Sequence, residues 1–249
     1  AGDTNYYSAS TSQLITIGKT TPTLTITSAN SLNVDGSLSA TTTTSATLGR
    51  GGLITYSIAA GSGSATVNSS TGLLTGISIG TVTLTAISAG DTNYYSASTS
   101  QLITIGKTTP TLSITSANSL NVDGSLTATA TTSATLGRGG LITYSIAGGS
   151  GSATVNSSTG LLTGISIGTV TLTATSAGDT NYYSASTSQL ITIGKTTPTL
   201  SITSANSLNV NGSLSATTTT SATLGRGGNI TYSIAAGSGS ATVNSSTGL

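Results

Sequence analysis

One run of letters, AGDTNYYSASTSQLITIGKTTPTL, begins at Ala1, at Ala89 and again at Ala177, which fixes a period of 88 residues. A period of 20–50 residues would indicate units that bury a core only by stacking on their neighbours. A unit of 88 residues is large enough to close a small core of its own. The chain of 249 residues is therefore read as a string of small domains. Residues 1–18 are the C-terminal strand region of a preceding repeat, 19–106 and 107–194 are complete repeats, and 195–249 is a shortened one. The boundary recurs as Gly-Lys-Thr-Thr-Pro at Gly18, Gly106 and Gly194.

Composition then selects the fold class. Tyr is the only aromatic, and Phe, Trp, Met, Cys and His are absent. β-branched residues without helix formers such as Glu and Met favour sheet over helix. The second repeat alternates with period 2 throughout. Leu112 and Ile114 share one face, as do Leu126, Ala128 and Ala130, then Ile142, Tyr144 and Ile146, then Val170, Leu172 and Ala174, and last Ile191 and Ile193. Turns are expected at Asn121-Val122-Asp123-Gly124, at Gly148–Gly151, at Ser157–Gly160 and at Ala177–Asn181, with a glycine loop at Gly137–Gly140. About seven strands at this spacing describe a β-sandwich with one wet and one buried face per sheet. The fold expected is all-β: tandem immunoglobulin-like β-sandwiches on an 88-residue repeat, arranged as an extended rod. The linker supports the rod, because Pro198 restricts its own φ and holds Thr197 extended.

Charge excludes several functions. Six basic and five acidic residues leave a net charge of +1. No basic stripe is present for nucleic acid and no polybasic patch for a membrane. The low charge permits lateral self-association. No disulfide or thiolate metal site is possible without Cys. The chain opens on Ala, shows no signal peptide and contains no Met, which reads as a processed chain or as a window on something longer.

The residues also carry a family resemblance. Ser152-Ala153-Thr154-Val155, then Ser158-Thr159-Gly160-Leu161-Leu162-Thr163-Gly164, then Gly168 to Thr175, followed by Ala177-Gly178-Asp179-Thr180-Asn181-Tyr182 and by Ile191-Thr192-Ile193-Gly194-Lys195, resemble bacterial immunoglobulin-like (Big) domains. The resemblance covers every complete repeat. It implies tandem sandwiches in long bacterial surface proteins, typically adhesin stalks, and it implies no particular ligand.

Each candidate site has a plainer structural counterpart. Asp91 with Asn93, or Asp35 and Asp123, could contribute to a calcium site. Calcium, however, takes six to eight oxygens, and position 123 becomes Asn211 in the third repeat. Their expected role is in turns. Of Tyr94 and Tyr95, one is expected to cap a corner through its hydroxyl and the other to face outward, where a sugar could stack. Thr169, Thr171, Thr173 and Thr175 set a row of hydroxyls and methyls on one strand face, as in ice-binding surfaces, or form an ordinary solvated face. Arg50, Arg138 and Arg226 sit in Leu-Gly-Arg-Gly-Gly, a solvated loop or an inter-domain contact. Asn68, Asn156 and Asn244 stand in Asn-Ser-Ser, a formal glycosylation acceptor. Catalysis has no support, since a Ser nucleophile needs a base and only one linker Lys per repeat is available. No catalytic, cofactor or metal residue is assigned.

The first two periods differ at five positions, all mild: Thr25/Ser113, Ser39/Thr127, Thr42/Ala130, Ala60/Gly148 and Ile87/Thr175. A binding tip needs one repeat unlike the others, and none is. The expected function is therefore the shaft of an extracellular bacterial adhesin or surface filament, whose partners are the neighbouring repeats of the same chain and a distal ligand the sequence does not name. The alternatives are a strand-exchanging subunit and a Thr-array that binds ice or carbohydrate. Strand exchange is disfavoured: residues 195–249 with 1–18 leave 15 residues of the period uncovered, the counterpart of 162–176.

Overall fold

The computed structural model describes residues 2–47, 51–135, 139–223 and 227–249. Among them there is no helix, hence none long and apolar enough to cross a membrane. Compact packing divides the chain into two units, Ala1–Thr111 with Ser133–Gly140 and Gly178–Ser184, and Leu112–Thr132 with Leu141–Ala177 and Ala185–Leu249.

In the first unit the strands are β1 (Leu24–Ile26), β2 (Ser31–Asn33), β3 (Ser37–Ser39), β4 (Thr42–Thr44), β5 (Ile54–Ala60), β6 (Ser64–Val67), β7 (Leu73–Ser78), β8 (Gly80–Ser88) and β9 (Ala97–Gly106). They form a four-stranded sheet in the order β2-β9-β8-β5, a three-stranded sheet in the order β3-β7-β6, and the pair β1-β4. All pairings are antiparallel except β2 on β9, where Leu32 lies opposite Ile105.

The second unit repeats this order with β10 (Leu112–Ile114), β11 (Ser119–Asn121), β12 (Ser125–Thr127), β13 (Ala130–Thr132), β14 (Ile142–Gly148), β15 (Ser152–Val155), β16 (Leu161–Ser166), β17 (Gly168–Ser176) and β18 (Ala185–Gly194). Its sheets are β11-β18-β17-β14, β12-β16-β15 and β10-β13. It also holds β19 (Leu200–Ile202) and β20 (Thr218–Thr220), paired with each other.

The alternating residues fall on the buried face. Val170, Leu172, Ile191 and Ile193 of one sheet meet Leu162 of the other in a single core, with Leu126, Tyr144, Ile146 and Val155 packed against it. The two inner faces thus interdigitate as in an aligned sandwich. The hydrophobic driving force comes from aliphatic groups, at about 25 cal/mol per Å² buried. Two details differ from the reading of the sequence. The alternation from Ser125 to Ser133 is divided between two strands, β12 on β16 and β13 on β10, with the buried Ala128 between them. β11 is an additional short strand, parallel to β18, where the sequence indicated only the turn that follows.

That turn is left-handed at a non-glycine residue. Asp35, Asp123 and Asn211 have φ of 60°, 62° and 59°. Asp and Asn are the residues that tolerate this conformation best after Gly, which is why the exchange at 211 preserves the backbone. Close approach governs Gly164. A Cβ there would lie 2.6 Å from the Asn121 carbonyl oxygen and 3.2 Å from Ile193 Cγ2.

Candidate functional site

The turn Gly-Asp-Thr-Asn-Tyr-Tyr is dense in polar contacts. It occurs three times, at residues 2–7, 90–95 and 178–183. An Asp carboxylate shapes it each time. Asp179 Oδ1 accepts the backbone N–H of Asn181 at 2.7 Å and of Tyr182 at 2.9 Å. Asp91 does the same for Asn93 and Tyr94, and Asp3 for Asn5 and Tyr6. The second oxygen of Asp179 accepts the Gly139 N–H at 2.8 Å, as that of Asp91 accepts the Gly51 N–H. These are Asx-turn bonds, in which a short carboxylate replaces a backbone acceptor. The Asp179 pKa is lowered, chiefly by the Gly139 N–H and then by those of Asn181 and Tyr182, with Lys107 adding a smaller share against the opposing effect of burial.

The tyrosines of the turn take different roles. Tyr182 is 1% exposed and belongs to the core of the first unit, beside Leu32 and Val34. Its hydroxyl donates to the Asp35 carboxylate and accepts the Thr135 N–H at 3.3 Å. Thr135 Oγ1 donates to Asp35 Oδ1 at 3.0 Å, and Ile79 N–H donates to Asn181 Oδ1 at 3.0 Å. Tyr94, in the same local sequence, is only half-buried, its hydroxyl 3.2 Å from Thr47 Oγ1. Tyr95 and Tyr183 face outward, each with a lysine over its ring: Lys19 Nζ at 5.8 Å and Lys107 Nζ at 5.5 Å from the centroid. This cation–π geometry uses the ring face that a sugar would stack on.

The candidate calcium residues are spread out. Asp91 and Asn93 share the turn, whereas Asp35 and Asp123 lie in different left-handed turns. No group of three acidic side chains comes together among the described residues. Asn68, Asn156 and Asn244 each cap the following turn: Asn156 Oδ1 accepts the N–H of Ser158 at 3.0 Å and of Thr159 at 2.9 Å. Arg50, Arg138 and Arg226 lie outside the described residues, as does Gly137 at the start of the glycine loop.

The threonine row forms a broader face. On β17, Thr169, Thr171, Thr173 and Thr175 stand opposite Thr192, Leu190, Ser188 and Ser186 of β18. Thr143 and Ser145 of β14 flank Thr175 and Thr173 on the other side. Thr173 Oγ1 and Ser188 Oγ share a hydrogen bond of 2.9 Å, repeated by Thr85 and Ser100 in the first unit. The exposed Leu190 and Leu102 interrupt the hydroxyl array at equivalent places. Sequence reasoning identified the row on β17 but did not find Asn181, Thr135 or Ile79, which act only where distant segments meet.

Residues 108–182 match the family model described as Bacterial Ig-like domain (group 2). No curated protein matches the sequence. Among solved structures, the fibronectin(III)-like modules of Clostridium thermocellum CbhA are similar at 14% identity, over 70% of this chain and 95% of that one, with a TM-score of 0.28. The C-terminal 282-residue fragment of intimin, solved with the intimin-binding domain of the translocated intimin receptor, is similar at 16% identity, over 72% of this chain and 66% of that one, with a TM-score of 0.28. Immunoglobulin-like domains of this kind are generally non-catalytic and are typical of bacterial surface proteins. Residues 108–182 are thus similar to bacterial Ig-like domains of group 2, in a chain whose 88-residue period carries nearly the same sequence to either side.

Proposed function

We propose that the chain is a spacer: a stretch of the shaft of a long extracellular bacterial adhesin or surface filament, which holds a distal binding region away from the cell. The observation that carries this reading is the sameness of the repeats. The β-strand order, the Asx turn and the lysine over tyrosine recur at 88-residue intervals, and the five exchanged positions create no private loop or charge cluster. A binding tip would need a surface that one repeat has and the others lack. The family supports the surface location, and the short Gly-Lys-Thr-Thr-Pro linkers support an extended rod of domains at 19–106, 107–194 and onward.

Small-angle X-ray scattering of the whole chain tests the rod. Strands of about ten residues at roughly 3.3 Å each give a bead on the order of 35–40 Å. Three beads end to end predict a radius of gyration of about 30 Å. A compact globule of this length has about 18 Å. A value near the smaller figure would overturn the shaft.

A second reading rests on the hydroxyl face of β17 and its neighbours, which could order water as an ice-binding surface does. The exposed Leu190 and Leu102 and the mutual bonding of Thr173 with Ser188 argue against it. Thermal hysteresis measured on the chain decides: the spacer reading predicts none, and a freezing point depressed below the melting point would establish the alternative.

A further inference from the structure

β5 is an edge strand of the four-stranded sheet in the first unit, paired only with β8 among the described strands. Backbone groups alternate sides along such a strand. The Leu53 carbonyl accepts the Ala89 N–H at 3.1 Å on the β8 side, and the Tyr56 N–H donates to the Ser69 carbonyl at 2.9 Å on the other. Ile58 and Ala60 therefore turn their backbone groups away from β8, as Tyr56 does. Beyond Tyr56, no backbone partner covers that side among the described residues. β14 repeats the arrangement: the Tyr144 N–H donates to the Ser157 carbonyl at 2.9 Å, and Ile146 and Gly148 are left open. An uncovered edge is a template for another strand.

This edge also lacks the features that guard edges. Native edge strands carry a charge, a proline or a bulge. β5 reads ITYSIAA, in unbroken register with β8. β6, an edge strand of the three-stranded sheet, reads SATV and is uncharged as well. Between the two edges lies a notch of about 340 Å³, whose apolar lining is Ile58, Ala60, Ala65, Val67 and the core residue Val82. The counterpart of Ala60 in the second unit is Gly148, where an added Cβ meets nothing within 4 Å.

We infer that this edge is an interface for a second copy of the chain, in which two β5 strands pair antiparallel about Ala59. Ile58 of one copy lies opposite Ala60 of the other, and the two residues exchange both N–H···O bonds. The two-fold axis makes the same exchange between Ala60 of the first and Ile58 of the second. The opening matches this occupant in length. It is bounded by the Ser69 carbonyl at Tyr56 and by the turn at residues 61–63, and a second β5 is open over the same two residues. Charge matches too, because an uncharged edge meets its own copy without repulsion. The inner faces stay on one side of the joined sheet, so the notches close against each other. β14 pairs in the same way about Ala147. The inference goes beyond the spacer reading and holds whether or not that reading does.

Sedimentation equilibrium of the whole chain tests it. Reversible association with a midpoint between about 10 μM and 1 mM is expected for so small a contact. Over that range, amide hydrogen exchange slows at Ile58, Ala60, Ile146 and Gly148. It stays constant at Ala59 and Ala147, whose N–H groups already face β8 and β17. Ala60→Pro with Gly148→Pro removes only outward N–H groups, which an edge strand tolerates, and weakens association at least about tenfold. Ala60→Lys with Gly148→Lys keeps those N–H groups and brings like charges together across the pair, with a similar loss that salt relieves. Leu102→Ser with Leu190→Ser, on the outer sheet face, leaves association unchanged. Unslowed exchange at the outward amides, association that survives both edge variants, or association that falls with the Leu102 and Leu190 pair instead would each overturn the inference.

Discussion

The hydroxyl of Tyr182 donates a hydrogen bond to the carboxylate of Asp35, 147 residues earlier in the chain. The two are brought together inside the first unit, where Tyr182 contributes its ring to the core and Thr135 binds both partners. The acceptor sits in a left-handed turn, so backbone conformation aims the carboxylate at the phenol.

Removing the hydroxyl should separate these contributions. Tyr182→Phe keeps the ring in its buried seat and leaves the exposed Asp35 to water. Its cost is about 0.5–1.5 kcal/mol. Tyr182→Ala also opens a cavity and costs about 3–5 kcal/mol. Tyr183→Phe, whose parent ring is 55% exposed, costs nothing measurable. Urea unfolding followed by circular dichroism ranks the three variants. Equal losses for Tyr182→Phe and Tyr183→Phe would remove the hydroxyl from the account.

Asp179 predicts an acid limb. Its pKa is lowered in the folded state, first by the Gly139 N–H. The unfolded chain therefore binds the proton more readily, and stability must fall as the solution is acidified. The contribution is complete above the ordinary aspartate value of about 3.9 and is lost as pH drops through the lower folded value. Asp179→Asn is thus less stable than the parent at neutral pH, and the gap narrows below about pH 4. Melting temperatures of both proteins across pH 2–7 check this, and a gap that stays constant would contradict it.

Gly164→Ala tests the close approach of two strands. The new methyl would meet the Asn121 carbonyl, which is backbone and cannot rotate away. A loss of about 1–3 kcal/mol follows, as for other overpacked interiors. Gly148→Ala is the internal control. A Cβ there meets nothing within 4 Å, and the first repeat already carries Ala60 at the equivalent place. Calorimetry of the two variants should show a lowered transition only in the first.

Much of this was legible in the letters. Val170, Leu172 and Ala174 alternate with threonines, and that alone assigns them to the buried face of a strand. Asp123-Gly124 reads as a turn because few other residues accept its geometry. The division of Ser125–Ser133 was not legible, since alternation records which face a side chain occupies and not which strand it pairs with. Leu126 and Ala130 share a face yet belong to strands with different partners. β11 offered only Ser-Leu-Asn, too short for a period to show. The fates of Tyr94 and Tyr182 could not be told apart locally, because their surrounding sequences are the same. Both hydroxyls meet the equivalent threonine, Thr47 or Thr135, while the turn that carries Tyr182 also meets Asp35 and Ile79, supplied by distant parts of the chain.

The central claim is that the 88-residue repeat is a mechanical module. Stretching single molecules of the chain between two handles tests it most directly. An 88-residue repeat releases about 310 Å when fully extended, or about 270 Å after its folded length is subtracted. The account predicts two separate force peaks with that spacing, one for each complete repeat. A featureless extension, or a single step that releases the whole chain at once, would contradict it.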